Sequence, residues 1–389
     1  MNWSKVEQAL TEASVQYRQG MDSSQIQNGF VFPGAVLAVS RGGEMLHHKA
    51  YGCRSLLPTV SPLSEDIVFD LASLTKALVT TTLVMQLVER GQLSLDRKVA
   101  QLFQTFGSHG RESMTLRHLL SHSSGYPDYL PFYRKVVSAD SGERTGIMTS
   151  RGAVEMIYRE IFQTKLENLP GKVSKYSDIG FILLGHVIEV ATGGSSIERL
   201  AIRDIFKPLE LRSTGFIDLS KVKRRGLEPV TDVIAPTARC PWRGRVLCGE
   251  VHDDNAWVMG GIAGHAGLFG TAVDVQKVAQ TLLDCYHGRS SFIDRDVVKT
   301  FWSREVSVPN GTWALGWDTP SAERSSAGKY FSKDSVGHLG FTGCSLWIDP
   351  SEELVVVLLT NRIHPSTENK EIKQFRPMLH DLVREAVSS

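Results

Sequence analysis

Ser73 and Lys76 stand three residues apart in Leu71-Ala72-Ser73-Leu74-Thr75-Lys76, at the head of the apolar run Ala77–Gly91. If that run is a helix, residues three apart share a face, about one turn from each other. A hydroxyl then lies beside an amine near the positive end of a helix, where unpaired N–H groups can stabilise an oxyanion. A buried amine tends to lose its charge, and a neutral lysine can take a serine proton. Ser73 is therefore a candidate nucleophile and Lys76 its activator. The competing reading of the spacing alone is an N-capping serine followed by a solvated lysine, but a charge within so apolar a run is costly to bury without a purpose.

Two later segments carry further chemistry. In Pro170–Gly180, Tyr176 and Asp178 are two apart ahead of a helix, and in extended backbone such residues project to the same side. A phenol and a carboxylate can then point into one cleft; a lysine ammonium nearby would lower the phenol's pKa and let it shuttle protons to a leaving group. In His338-Leu339-Gly340-Phe341-Thr342-Gly343, a polar residue followed two later by glycine on an edge strand would let substrate lie against the strand, with Gly340 leaving room.

These residues need elements to hold them. Ser73 calls for a loop that delivers it into a helix closing at Gly91, a residue type suited to the position just past a helix end. Ahead of it, Gly34–Ser40 and Glu44–Gly52 read as two strands joined by Arg41-Gly42-Gly43, the first apolar enough to be central in a sheet. A short helix bounded by Thr115 and Gly125 follows. Helical patterns over 150–163, Gly180–Thr192 and Ser196–Leu209 suggest a helical subdomain inserted after the nucleophile helix. Residues 216–257 look irregular and are expected to wrap the surface near the site. Gly260–Gly270 packs five glycines into eleven residues, a sign of close backbone approach. A helix over 272–287, strands at His338–Gly343, Cys344–Asp349 and Leu354–Leu359, and a closing helix over about 366–387 complete the chain. Strands at both ends imply that the two termini share one antiparallel sheet. The division expected is a discontinuous sheet domain, 1–100 with 258–389, and a helical subdomain with cleft-lining loops over 101–257.

Size and composition are those of an ordinary soluble globular protein. The chain has 389 residues, 42% apolar and 22% charged, and a net charge of +1. It carries no field to attract nucleic acid or an anionic membrane. Five scattered cysteines without Cys-x-x-Cys spacing fit reduced thiols in a cytoplasmic protein. The N-terminus opens on an amphipathic helix without signal-peptide features, and no run reaches the roughly 18 apolar residues of a membrane span. His118 and His122, four apart on the short helix, could in principle ligate zinc, but no glutamate lies between them. No metal and no cofactor are expected. His252-Asp253-Asp254 with His265 fits support of the cleft better than ion binding.

Ser-x-x-Lys, Tyr-x-Asp and His-x-Gly, in this order and at these separations, are far more specific together than singly. The chain from roughly residue 30 to 365 resembles the serine β-lactamase-like superfamily, in the branch holding class C β-lactamases, penicillin-binding proteins and family VIII-type esterases, whose second motif is Tyr-x-Asn and third Lys-Thr-Gly or His-x-Gly. Thr115–Gly125, Tyr176–Gly185 and Gly249–Ala256 with Gly260–Gly270 carry the resemblance further. It implies an α+β fold of the β-lactamase/DD-peptidase type, an antiparallel sheet flanked by terminal helices plus the inserted helical subdomain. It also implies that Ser73 becomes acylated, that Lys76 and Tyr176 trade its proton, that the backbone N–H groups of Ser73 and Phe341 form the oxyanion hole, and that Asp178, His338 and Gly340 meet the substrate. Two departures bear on specificity. Asp178 replaces the usual Asn and can only accept hydrogen bonds, though it can pair with Lys76, hold it charged and shift base duty to Tyr176. His338, mostly neutral at pH 7, is a weak anchor for a substrate carboxylate. Both point to a serine hydrolase of neutral carboxylic esters or related small acyl compounds. A D-amino-acid peptidase, a weak β-lactamase of the penicillin-binding type, and a catalytically silent scaffold are the alternatives.

Overall fold

The computed structural model describes residues 1–26, 29–143, 146–228, 230–309 and 311–388. Its backbone is a six-stranded antiparallel sheet made from both ends of the chain. From one edge to the other run Ser61–Pro62, Glu44–Ser55, Gly34–Arg41, Leu354–Thr360, Ser345–Asp349 and Val336–Leu339. Gly34–Arg41 is central, with Leu37 opposite Leu358 on one side and Lys49 on the other. Its turn uses Gly42 and Gly43, both at positive φ, where a Cβ would be strained.

Apart from Ser40, Arg41 and Thr360 at their ends, both central strands are apolar because both faces are covered. Val36, Ala38, Val355, Val357 and Leu359 point into the larger core, toward the helix that follows Ser73 and toward Ala272–Tyr286. Leu37, Val39, Val356 and Leu358 point the other way, where Val6 and Leu10 of Ser4–Ala13 and Leu379 and Val383 of Ile372–Ser388 close the second core. The closing helix begins at Ile372, later than the pattern suggests, because 361–371 runs as a loop from which Asn361 and His364 bond back to the Arg54 carbonyl and the Leu56 amide.

Helices Tyr133–Glu143, Arg151–Gln163, Asp178–Ala191 and Ile197–Ala201 lie between the sheet's two halves in the sequence. The 216–257 stretch is less irregular than its composition suggests. It holds helices Leu219–Arg225 and Asp254–Val258 and a two-stranded ribbon, Arg239–Cys240 with Arg245–Val246. Its first part is largely exposed, with Leu227, Val230 and Val233 open to solvent, whereas Val251 and Ala256 further along are almost completely buried. All five cysteines are unpaired thiols. Among the described residues no helix is long and apolar enough to cross a membrane.

Candidate active site

Ser73 sits at the mouth of a helical rod running from Leu74 to Glu89, with Gly91 at φ +68° just past its end. Residues Lys76–Thr81 are wound as a wider π-turn before Thr82–Glu89 continues as α-helix. Such π segments are frequent at functional sites. Ala72, immediately before the serine, has φ +46°, a left-handed conformation costly for a residue with a Cβ. Asp70 holds it there: its Oδ1 accepts from the Ala72 N–H at 2.9 Å, its Oδ2 from the His252 N–H at 2.8 Å, and its carbonyl from Thr342 Oγ1 at 2.8 Å. One buried residue thus ties three separate segments around Ser73. Burial raises the Asp70 carboxyl to a pKa of about 6. Asp70 was not singled out in the sequence, although a carboxylate one residue from the apolar Phe69 and Leu71 is a signal that could have drawn notice.

Lys76 is completely buried, and its Nζ has three partners. It donates to Ser73 Oγ at 2.9 Å and to the His265 carbonyl at 2.9 Å, and it pairs with Asp178 Oδ1 at 2.7 Å. Burial lowers the lysine pKa, and the Asp178 carboxylate opposes that fall. The glycines of 260–270 bring the His265 carbonyl to this position. A Cβ on Gly264 would collide with the Phe181 carbonyl and sit 3.0 Å from the Gly185 amide, so only glycine lets this segment press against helix Asp178–Ala191. The His265 ring bonds Asp253 Oδ1 at 2.8 Å. Burial works against the charged Asp253, but the His265 imidazole and the Ala256 N–H hold its carboxyl well below the usual range.

Tyr176 reaches the same point from the other wall. Its hydroxyl donates to Ser73 Oγ at 2.8 Å and lies 3.3 Å from Asp178 Oδ1. Ser177 between them is extended, at φ −145°, and caps the helix through Gly180 N, so Tyr176 and Asp178 do point one way. That helix begins at Asp178, two residues earlier than the sequence pattern indicates. The phenol's pKa moves opposite to expectation. Complete burial and then the Asp178 carboxylate raise it well above normal, because both penalise a phenolate more than the Ser73 hydrogen bond favours it.

The third motif departs from the sequence reading at Gly340. The strand ends at Leu339, and residues 340–343 form a tight turn closed by Gly343 N donating to the Gly340 carbonyl at 3.0 Å. A Cβ on Gly340 would lie 2.8 Å from the Leu71 carbonyl. The glycine therefore makes room for the loop that precedes Ser73, not for substrate. Two buried arginines fix this turn: Arg376 donates to the Gly340 and Cys344 carbonyls at 3.0 and 2.7 Å, and Arg362 donates to the Phe341 carbonyl. Phe341 itself is 56% exposed. Among the described residues neither the Ser73 nor the Phe341 amide has an acceptor.

His338 lies on the edge strand, its ring 6.3 Å from Tyr176 and 5.6 Å from Trp313. Burial, then the Lys76 charge, push its pKa down to about 3, so it is neutral across the physiological range. The two candidate zinc ligands do not share a helix face. The helix ends at Leu120, and His122 lies beyond it at φ +53°. His118 caps that helix with Thr115, whereas His122 Nδ1 accepts from Ser177 N–H at 3.1 Å and its ring packs 4.6 Å from that of Tyr176. Neither His122's part in holding Tyr176 nor Trp313's place beside both rings was legible, since each depends on contacts across more than 50 residues of chain.

The fold and the serine, lysine and tyrosine at its centre are those of serine hydrolases with the β-lactamase/DD-peptidase architecture. The sequence matches the family named Beta-lactamase over residues 23–376, and the chain belongs to it. It is 31% identical over 354 residues, 86% of this chain and 78% of the relative, to a Bacillus subtilis (strain 168) protein named N-acetylmuramyl-L-alanine amidase. Among solved structures it is similar in fold to EstCE1, described as a hydrolase with promiscuous acyltransferase activity, with TM-score 0.66 and 22% identity over 90% of this chain and 93% of that one. It is likewise similar to the octameric penicillin-binding protein homologue from Pyrococcus abyssi, with TM-score 0.67 and 21% identity over 92% of this chain and 73% of that one.

Proposed function

We propose that this hydrolase works through an acyl-enzyme on Ser73, with uncharged carboxylic esters and related acyl compounds as substrates. The observation that carries the reading is the convergence of Lys76 Nζ at 2.9 Å and Tyr176 Oη at 2.8 Å on one serine oxygen. With three acceptors around it, Lys76 has the surroundings of an ammonium, which has no lone pair to receive a proton. The serine proton instead passes to the Tyr176 oxygen as the phenol gives its own proton to Asp178, so no free phenolate forms. Ser73 Oγ then bonds the carbonyl carbon. The carbonyl oxygen takes up the displaced electron pair, and the free Ser73 and Phe341 amides stabilise it; one such donor contributes about 3 kcal/mol. As the intermediate collapses, the leaving group takes a proton back from Tyr176, and Asp178 returns the phenol's. Water repeats the sequence and frees the acid.

The neutral His338 supports an uncharged substrate, because an uncharged imidazole offers a carboxylate no ion pair. The name of the Bacillus relative specifies an amide bond, and the same acyl-enzyme serves amides once the leaving nitrogen is protonated. A catalytically silent scaffold would have no need of a buried lysine, a buried phenol and two free amides around one serine. With a short-chain p-nitrophenyl ester the wild type is expected to show a burst of one nitrophenol per active site, and a fluorophosphonate probe to label it. Ser73→Ala should lose both; an unchanged rate in that variant would remove the assignment.

A further inference from the structure

The amides of Ser73 and Phe341 belong to distant parts of the sequence, yet one buried residue reaches the surroundings of both. The Ser73 N–H lies in the planar peptide that Ala72 aims, and Ala72 is held at φ +46° although it carries a Cβ. Such a conformation persists only where its surroundings over-determine it. Asp70 Oδ1 supplies that hold by accepting the Ala72 N–H at 2.9 Å, a side-chain turn closed over two residues.

Asp70 reaches the Phe341 side by two routes. Its carbonyl accepts at 2.8 Å from the hydroxyl of Thr342, the neighbour of Phe341 and 272 positions along the chain from Asp70. Its Oδ2 accepts the His252 N–H at 2.8 Å, and the His252 ring stacks on that of Phe341, with centroids 5.6 Å and planes 17° apart. At 2% exposure Asp70 does not meet substrate; whatever it contributes passes through these neighbours.

We propose that Asp70 is the positioning residue of the oxyanion hole: through Ala72 on one side, and Thr342 and His252 on the other, it sets how the Ser73 and Phe341 amides face one oxygen. This rests on the acyl-enzyme reading above and adds to it a residue that acts without touching substrate. A carboxylate is needed because both of its oxygens must accept. Asparagine has nearly the same shape but one acceptor and one NH2, so either the Ala72 or the His252 N–H would face a donor, buried where water cannot replace the lost bond. Oxyanion donors are effective because they are already in place when charge develops, so a hole held on one side only should stabilise the transition state less.

The test uses a p-nitrophenyl ester whose acyl-enzyme hydrolyses slowly, so that nitrophenol release halts near one per active site. Asp70→Asn should keep that amplitude, since deacylation uses the same hole and slows with it. The acylation rate constant should fall about 10- to 100-fold, with the ester concentration for half-maximal rate little changed. With the ester carbonyl carbon-13-labelled, infrared spectra of the acyl-enzyme report the hole directly. Hydrogen bonds to a carbonyl oxygen lower its stretching frequency, so the labelled band should move up in the variant. Thr342→Val, of the same shape without the hydroxyl, should move both readouts the same way, and it serves if Asp70→Asn does not fold. A smaller amplitude with a wild-type rate constant and band would make Asp70 a prop of the fold alone and overturn the proposal, as would wild-type values throughout. A wild type that releases no burst overturns the acyl-enzyme reading itself, and is seen before any variant is compared.

Discussion

Asp178 is the residue at which this site departs most from the Tyr-x-Asn pattern, and its position gives the departure chemical meaning. At 2.7 Å from Lys76 Nζ and 3.3 Å from Tyr176 Oη, it pairs with the lysine and, in the mechanism proposed above, receives the phenol's proton. An asparagine there keeps one carbonyl acceptor but takes no proton. Asp178→Asn is nearly isosteric, so the fold should persist, and kcat for an ester should fall by about 100-fold or more with KM little changed. A proton inventory in mixed light and heavy water separates this from mere repositioning. Two protons in flight bow the wild-type plot, and the variant should give a straight one. A wild-type rate in the variant would mean that Lys76 or Tyr176 takes the serine proton unaided.

At the scale of elements, the site is held by close backbone approach. The 260–270 segment presses against helix Asp178–Ala191, and the Gly340 turn against the Leu71 carbonyl, at points where side chains would not fit. Gly264→Ala sets a methyl against the Phe181 carbonyl, which must move the segment carrying the His265 carbonyl away from Lys76. Overpacking of this kind costs about 1–3 kcal/mol. The variant should therefore unfold at lower urea concentration and also lose activity, since the Lys76 amine loses an acceptor. A variant that lost stability but kept full kcat would separate the glycine's packing role from the lysine's position. Glycine clustering was visible in the sequence as a sign of close approach; which carbonyl is delivered to which amine was not, because the partners are 189 residues apart.

At the scale of the molecule, burying many titratable groups makes stability depend on pH. His338 has a pKa of about 3, and His252, His364 and His380 of about 4, against 6.5 for a free histidine, mainly through burial. Between those values the unfolded chain binds protons that the folded one does not, so these four groups make stability fall as pH drops from about 6.5 toward 4. Asp70 and Asp318, raised by burial from 3.8 to about 6, act in the opposite sense over much of that interval, because there the folded chain holds the extra proton. Four groups against two, with larger individual shifts for the histidines, give a net loss on acidification. The urea midpoint should drop between about pH 7 and about pH 4.5; a flat or rising midpoint would show that the histidines are not buried in neutral form.

The sequence by itself determined the hairpin and its central strand, the nucleophile helix with its glycine end, the antiparallel sheet shared by the termini, and the motif order that marks the superfamily. These are local facts, set by side-chain periodicity, turn residues and spacing within a few positions. The tertiary structure alone decided the rest. It showed that Gly340 packs under the loop before Ser73, that Asp70 ties three segments together, and that the phenol's pKa rises. Each depends on which distant backbone closes over the group and removes its water, and neither solvation nor a contact across a hundred residues is written in the spacing of a linear chain.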